Sequence, residues 1–378
     1  MQILADPPMT VRGTLVRSVA FLLAALPLVL ASCGDPGPES AEDAAAARAA
    51  LLPGKVGPSG EVVMVASESV WNRGVGAAVD SVFLRPVRVL PQYEPRFDVI
   101  RLDPEEFDRF WKPHRNLVVF DIADRIDTQE PSMRVMRSRF AKGQIYVEIK
   151  ARTAQAAADL LLDPTQGEML ADLLEQEEAT RYGQWLGLDR NEVLEQTIRQ
   201  RHGLSCVLPR DAQLVNSAGG FAWIERNLTR MKGGRNHDVQ LGIVVHRTPY
   251  GGPADFSMKR MLERRDSLLQ ARVSGSNPGS YMTTEFRLAP RYEEVSFRGG
   301  FAATMRGLWR MEGDFMGGPW TSIAWVDANR GQLVTVDGYV YAPYFGKREY
   351  LREVEAMVRS FAPIAPTPEP SNSDTTTP

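Results

Sequence analysis

Short apolar runs alternate with helical patterns in the first folded region, which we place at residues 61–202. Residues 116–122, for example, are rich in apolar and β-branched side chains and are typical of a buried strand. Asp103 is followed by proline and has Glu106 three positions on, which predicts the start of a helix. This alternation favours a layered α/β domain that ends in a helical segment over about 153–201.

The second region, residues 203–361, has a different pattern. Strand candidates follow one another at 205–208, 220–225, 239–247, 280–288, 292–297, 302–311, 320–327 and 332–341. Hairpin signals join several of them, and helical patterns lie at about 257–270 and 347–361. Runs of strands with segregated helices predict an antiparallel sheet. The expected fold class is therefore α+β, with an N-terminal α/β domain followed by an antiparallel sheet flanked by helices, as an α/β/α sandwich.

The first 33 residues carry a different kind of pattern. Arg12 and Arg17 precede an apolar run over residues 19–30, which ends in the tetrapeptide Leu-Ala-Ser-Cys at Cys33. The run holds about a dozen residues, whereas a membrane-spanning helix needs about 20. This is the layout of a secretory signal peptide whose cleavage leaves a cysteine at the new N-terminus.

The tetrapeptide resembles a bacterial lipobox. The resemblance implies removal of residues 1–32, lipidation of Cys33, and attachment to a membrane outside the cytoplasm. By analogy with bacterial sorting rules, Gly34 after the cysteine favours the outer membrane, and the choice between its periplasmic and surface faces stays open. Residues 33–60 read as a flexible tether, and residues 362–378, rich in Pro, Ser and Thr, as a disordered tail.

Charge and cysteine content narrow the class of partner. The 378-residue chain has a formal net charge of −3, which argues against a nucleic-acid binder. The two cysteines are Cys33 and Cys206, so lipidation of the first leaves the second without a disulfide partner. The apolar neighbours of Cys206 predict a small buried side chain rather than a reactive thiol.

Motifs for cofactors and metals are missing from the sequence. The four histidines do not pair with cysteine or with one another at metal-ligand spacing. The Gly74-Val75-Gly76 stretch lacks the third glycine of a dinucleotide fingerprint. We therefore expect neither a metal nor a cofactor.

Polar and aromatic side chains concentrate in the second region, and they form the candidate binding set. Its members are Tyr281, Glu285, Arg306, Trp309, Asp314, Trp320, Tyr339 and Tyr341. Arg306 is expected to face Glu285 or Asp314 as a charge-assisted pair. One interpretation of the set is a structural network with aromatic core packing. The other is a binding surface, because Tyr, Trp and Arg are enriched at interface hot spots.

Two further segments and one rival chemistry stay open. Residues 316–319 predict a tight turn, and the alternative for this segment is an anion cradle built from successive backbone amides. The basic segment with Arg226, Arg230, Lys232 and Arg235 predicts a solvated hairpin tip, and the alternative is contact with an acidic glycan or lipid headgroup. The rival function is a hydrolase of envelope glycan or peptide that uses Glu285, Asp314 or His246.

Several segments carry a family resemblance. They are residues 90–92, 97–99, 114–116, 264–266, 279–285, 306–309, 316–320, 338–343 and 347–348. Together they resemble an uncharacterised family of bacterial lipoproteins, a domain of unknown function. The order of elements in the second region is also similar to the PsbP/Mog1 fold, whose members are mostly non-enzymatic accessory factors. The resemblances imply an envelope lipoprotein that binds or assembles with an envelope protein or glycan and contacts the membrane through its lipid anchor.

Overall fold

A computed structural model describes residues 50–125 and 130–364. The predicted leader, the lipidation site Cys33, most of the predicted tether and the tail from residue 365 lie outside the described residues. The described residues belong to one compact unit. Among them, no helix combines the length and the apolar character needed to cross a membrane.

Strands and helices alternate in the first half, and strands dominate the second. The strands are β1 (Glu61–Val65), β2 (Asp98–Leu102), β3 (Asn116–Ile122), β4 (Ser132–Arg137), β5 (Ile145–Ala151), β6 (Leu204–Ser205), β7 (Gln213–Ala218), β8 (Phe221–Lys232), β9 (Arg235–Pro249), β10 (Tyr281–Glu285), β11 (Arg291–Phe297), β12 (Gly300–Glu312), β13 (Gly317–Asp327), β14 (Gln332–Tyr341) and β15 (Ala362–Pro363). The helices are α1 (Gly76–Phe83), α2 (Ala154–Leu162), α3 (Gln166–Leu186), α4 (Glu192–His202), α5 (Met258–Arg272) and α6 (Arg348–Ser360), with short helical turns at Glu68–Val70, Trp71–Val75, Pro104–Glu106 and Pro253–Phe256.

The first half is built on a five-stranded sheet in the order β2-β1-β3-β5-β4. Strands β1, β2, β3 and β5 are parallel, and β4 runs antiparallel to β5 at the edge. Helices α1, α2 and α3 pack on one face, where Val79 and Leu174 join the same apolar cluster as Met64 of β1. The other face is covered by aromatic side chains from connecting segments, among them Phe107 and Trp111. Both faces are therefore covered, as the apolar strand sequences require.

The helix start predicted at Asp103 is confirmed, but the helix that follows is short. The capping box forms, since the Asp103 N–H donates to the Glu106 carboxylate at 3.3 Å, but the helix is a single turn over Pro104–Glu106. Phe107 leaves the helical path and packs against Phe140, with ring centroids 6.3 Å apart. A start signal cannot extend a helix when the next apolar side chain is needed to cover the sheet.

The second half is an eight-stranded antiparallel sheet with the path β10-β12-β13-β14-β9-β8-β7. The long strand β12 pairs along one edge with both β10 and β11. Helix α5 lies against one face, where its Met261 and Leu269 join the cluster of Trp320 and Tyr339. Helix α6 lies against the opposite face with its apolar stripe. The mixed α+β class predicted from the sequence is confirmed.

Large rings in this sheet lie over glycines in neighbouring strands. Tyr339 stands opposite Gly242, and Trp320 opposite Gly307. A Cβ on Gly242 would lie 2.0 Å from the Tyr339 ring, and one on Gly307 would lie 2.7 Å from the Trp320 indole. The glycines therefore provide the space that the two rings occupy.

The N-terminus of α6 is held by the first half of the chain. The Glu94 carboxylate accepts hydrogen bonds from the Lys347 and Arg348 backbone N–H groups at 2.7–2.8 Å, which satisfies donors that a helix start leaves open. Arg348 also pairs with Asp98 at 2.6 Å, and Arg352 donates to the Arg96 carbonyl at 2.7 Å. These bonds join the two halves across one helix.

The described body extends beyond the limits placed on the folded regions from the sequence. On the N-terminal side, the Val56 N–H donates to the Pro113 carbonyl at 3.0 Å, so part of the predicted tether contacts the segment that precedes β3. On the C-terminal side, Ala362–Pro363 pairs with Leu204–Ser205. Hydrogen bonds of the backbone, which a composition pattern does not report, hold both segments.

Candidate binding groove

Three aromatic residues of the predicted set lie in the core beneath α5. Trp309, Trp320 and Tyr339 are each at most 1% exposed. The rings of Trp309 and Tyr339 pack edge to face, with their centroids 5.2 Å apart. Because a buried indole N–H needs an acceptor, the Trp309 indole donates to the Val340 carbonyl at 3.2 Å. These residues shape the sheet from within, and of the three only Trp309 also borders the groove described below.

The phenol of Tyr339 ends in a small buried polar chain. It donates to the Glu225 carboxylate at 2.8 Å and accepts from the Trp223 indole at 3.0 Å. Burial, and then the neighbouring Glu225 charge, raise the pKa of Tyr339, and burial raises the pKa of Glu225. The phenol therefore stays protonated, which suits a fixed donor in a core.

The predicted charge pair of Arg306 is wrong. Among the described residues, Arg306 pairs with Glu355 of α6 at 2.8 Å, rather than with Glu285 or Asp314. Glu285 pairs instead with Arg287 at 3.2 Å and approaches Arg310 at 4.0 Å. Helix α6 packs on the face of the sheet that carries Arg306, and it supplies a carboxylate that strand spacing alone does not reveal.

A groove opens where the β12–β13 turn, the end of β14 and an N-terminal segment meet; we call it the aromatic groove. Its volume is about 520 Å³. It is lined by Pro91, Gln92, Arg287, Leu308, Trp309, Arg310, Met311, Asp314, Phe315, Met316, Gly317, Gly318, Tyr341, Pro343, Tyr344 and Lys347. Three members of the predicted set, Trp309, Asp314 and Tyr341, therefore come together here, while Tyr281 is half-buried on β10 opposite Glu312.

Exposed rings form the walls of the aromatic groove. Phe315 is 89% exposed and Tyr344 is 67% exposed. Asp314 fixes the start of the Phe315 segment, since its carboxylate accepts from the Phe315 N–H at 2.7 Å. Rings held in water in this way leave apolar area that a bound partner would bury.

Cations surround these rings. Arg287 and Arg310 line the groove from the side of β10 and β12, and Lys347 closes it from the N-terminus of α6. The Lys347 ammonium donates to the Phe345 carbonyl at 3.1 Å and the Gln92 side chain at 3.3 Å. Burial lowers the pKa of Lys347. Because Gln92 comes from the first half, the groove requires both halves of the chain.

The tight turn predicted at residues 316–319 is wrong. Gly317 and Gly318 begin strand β13, and the turn lies one step earlier, where the Met311 N–H donates to the Met316 carbonyl at 2.8 Å. A Cβ on Gly318 would lie 2.0 Å from the Val340 carbonyl oxygen, so glycine is needed for close strand packing. Successive strand amides point to opposite sides, which removes the proposed anion cradle.

Two of the groups named for hydrolysis, His246 and Glu285, do not converge in the described part of the chain. His246 is buried on β9, with its Nε2 3.5 Å from the Asp337 carboxylate. Four inter-strand steps of about 4.8 Å separate β9 from the β10 strand of Glu285, or about 19 Å. The Arg287 backbone N–H holds the pKa of Glu285 below its usual range, and so favours a charged carboxylate over a proton donor.

Sequence reasoning missed Phe315, Tyr344, Arg287 and the Pro91–Gln92 segment as lining residues. An exposed aromatic next to glycines in a hairpin loop was the available signal for Phe315. The contribution of Pro91 and Gln92 depends on packing between residues about 250 positions apart, as in the Gln92 contact with the Phe345 carbonyl. A local pattern carries no record of such a contact.

Comparison with known families divides the chain in a similar place to the hydrophobic pattern. Residues 55–185 match a family described as a domain of unknown function (DUF8532). Residues 191–360 match a second family with the same kind of description (DUF4837). No curated protein matches the chain. Both matches are consistent with an uncharacterised family.

Proposed function

We propose that this protein is a membrane-anchored lipoprotein of the bacterial cell envelope, and that it acts as a non-catalytic accessory which binds a protein partner through the aromatic groove. The lipobox-like sequence at Cys33 supports the anchor. The observation that carries the binding role is the groove itself, where Phe315 and Tyr344 stand exposed beside Arg310 and Arg287.

The chemistry of the groove favours a protein over a glycan as its partner. Aromatic rings, methionine and arginine are enriched at protein interfaces, and the anchors among them carry most of the binding energy. The groove combines Phe315, Tyr344 and Met316 with two arginines.

We also infer that the second half is an α/β/α sandwich of the PsbP/Mog1 type. The positions of α5 and α6 on opposite faces of one antiparallel sheet support this inference. An experimental structure with both helices on the same face would contradict it.

The anchor is tested by mass spectrometry of the protein purified from its own membranes. We expect the first peptide to begin at Cys33 and to carry the mass of acyl chains. An intact leader, or an unmodified Cys33 thiol, would remove the basis for an envelope location.

The groove is tested by a photo-crosslinking amino acid placed at position 315 in living cells. We expect discrete protein adducts, lost when Arg310→Glu is added. The same crosslinker at Phe110, which is 72% exposed in the first half, is the matched control. Identical adducts from both positions would count against the groove, and co-sedimentation with isolated cell-wall sacculi that depends on Phe315 would indicate a glycan partner instead.

A further inference from the structure

A second cleft lies away from the aromatic groove, where α3, β8 and α6 meet; we call it the arginine cleft. Its volume is about 370 Å³. Arg115 and Arg181 line it from the first half, and Arg226 and Arg230 of β8 line it from the second. The basic segment noted in the sequence therefore contributes two of its members to a built cleft.

Glu178 of α3 is the anion at the base of the arginine cleft. It is fully buried and accepts hydrogen bonds from Arg115 at 2.6 Å, from Ser59 at 3.1 Å and from Asn116 at 3.0 Å. Arg181 pairs with the same carboxylate. One negative charge is therefore shared by two guanidinium groups.

Lys55 adds a third positive charge beside that pair. Its ammonium lies beside Gly143, and the Gly143 carbonyl accepts from Arg181 at 2.9 Å. Lys55 forms no ion pair within the described ranges. Burial, and then repulsion from Arg181 and Arg115, lower the pKa of Lys55. An added anion would relieve this repulsion.

The other wall of the cleft also has an unmatched cation. Arg226 pairs with Glu353 and with Asp211, the latter at 2.6 Å. Arg230 is exposed and, among described residues, donates only to the carbonyl of Thr229, at 3.4 Å. Four guanidinium groups therefore line a cleft that includes two carboxylates, Glu178 and Glu353, and Lys55 lies next to it beside Gly143.

An aromatic ring completes the cleft. Trp185 lines it and is 46% exposed, and the Arg226 guanidinium lies 5.8 Å from its ring centroid. Tryptophan is enriched at the headgroup level of membranes, because its ring is apolar while its N–H needs a polar partner. Lys55 and Ser59 precede β1, so the cleft lies beside the segment that leads back to Cys33.

We propose that the arginine cleft binds a phosphate group, supplied by the headgroup of an anionic phospholipid in the bilayer that carries the anchor. The guanidinium groups are donors that match phosphate oxygens, and basic side chains are attracted to an anionic membrane surface. The choice of the lipid as the source rests on the proposed membrane anchoring. The phosphate chemistry itself does not.

The test uses the full chain in non-ionic detergent and isothermal titration calorimetry. The probes are short-chain phosphatidylglycerol, inorganic phosphate, and short-chain phosphatidylcholine as the zwitterionic control. We expect phosphatidylglycerol to bind more tightly than phosphate, with affinity that falls as salt rises, and phosphatidylcholine not to bind. The double variant Lys55→Gln/Arg230→Gln should weaken phosphatidylglycerol and phosphate binding at least tenfold. It should leave the fold intact, because neither side chain forms an ion pair on which the described fold depends.

A matched double variant, Arg134→Gln/Lys259→Gln, removes the same charge at exposed positions outside the cleft and should leave both affinities unchanged. Trp185→Ala should weaken phosphatidylglycerol alone. Equal affinity for phosphate and phosphatidylglycerol would overturn the lipid as source and keep the phosphate site. The proposal fails if neither probe binds, or if the two double variants bind alike. The mass of the Cys33 peptide from the same sample tests the anchor separately.

Discussion

Removal of the Glu178 carboxylate is the perturbation whose outcome the structure defines best. Glu178 is fully buried, and its two oxygens accept from Ser59, Arg115, Asn116 and Arg181. Glu178→Ala leaves the Arg181 guanidinium, itself 8% exposed, without its ion-pair partner. Burial already lowers the pKa of Arg181, so its charge is costly where it lies.

The magnitude follows from the burial of the pair. Breaking a buried ion pair by removing one partner costs about 3–5 kcal/mol, because an uncompensated charge stays in the interior. With about 2.1 cal/mol/K of unfolding entropy per residue and about 310 described residues, this corresponds to a fall in Tm of about 5–8 °C if the body unfolds as one unit.

A neighbouring position on the same helix provides the control. Glu177 has a side chain that is 17% exposed, against 0% for Glu178, and it pairs with Arg137, which is 60% exposed; Glu177→Ala should therefore cost no more than about 1 kcal/mol. The assay is urea unfolding followed by circular dichroism, with Tm from calorimetry as a second readout. Equal losses in the two variants would refute the reasoning, since burial would then not decide the cost of the missing carboxylate.

Three further outcomes are expected. A Cβ on Gly338 would lie 2.2 Å from a valine of α6, so Gly338→Ala should lower the free energy of unfolding in urea by about 1–3 kcal/mol. The control Gly183→Ala, which has open space around it, should cost nothing. A neutral Gly338→Ala would contradict the close packing of α6. Burial raises the pKa of Cys206 to about 12, so the native protein at pH 8 should resist labelling by maleimide. The denatured protein should expose one reactive thiol if Cys33 is acylated and two if Cys33 is free. Fast labelling of the native protein would contradict the burial of Cys206. Burial alone would raise the pKa of Glu349, but the two arginines of α6 outweigh it and hold the value at about 2, so its contribution is present above about pH 4.5 and is lost as the pH falls toward 2. Since a third of this side chain is exposed, we expect about 1–2 kcal/mol, and Glu349→Gln should flatten the stability profile over that range; parallel profiles for the variant and the parent would show that the arginines contribute nothing.

Element type was predictable wherever one face of an element is apolar. Buried strands such as β3 and β14 show in the sequence as apolar runs, because their side chains lie in the core on both faces or on alternate positions. The edge strands β4 and β7 were missed. Most of their side chains are exposed, so neither strand carries an apolar period of two.

Several site residues were predictable as a group but not in their roles. Trp309, Trp320 and Tyr339 were singled out for their chemistry, and they form the core under α5. Arg306 pairs with a carboxylate on α6 rather than with one on a neighbouring strand. Because helix α6 lies about 40 residues further along the chain, the local pattern around Arg306 does not reveal this pair.

The amino-acid sequence by itself determined the α+β class, the order of the two regions and the burial of Cys206, since each depends on local periodicity or on a run of apolar neighbours. Tertiary structure alone decided which residues meet. The aromatic groove and the arginine cleft each join side chains from both halves, and Glu178 gathers donors from up to about 120 positions away. Such contacts are set by how sheets and helices pack, and the spacing of residues along the chain does not encode them.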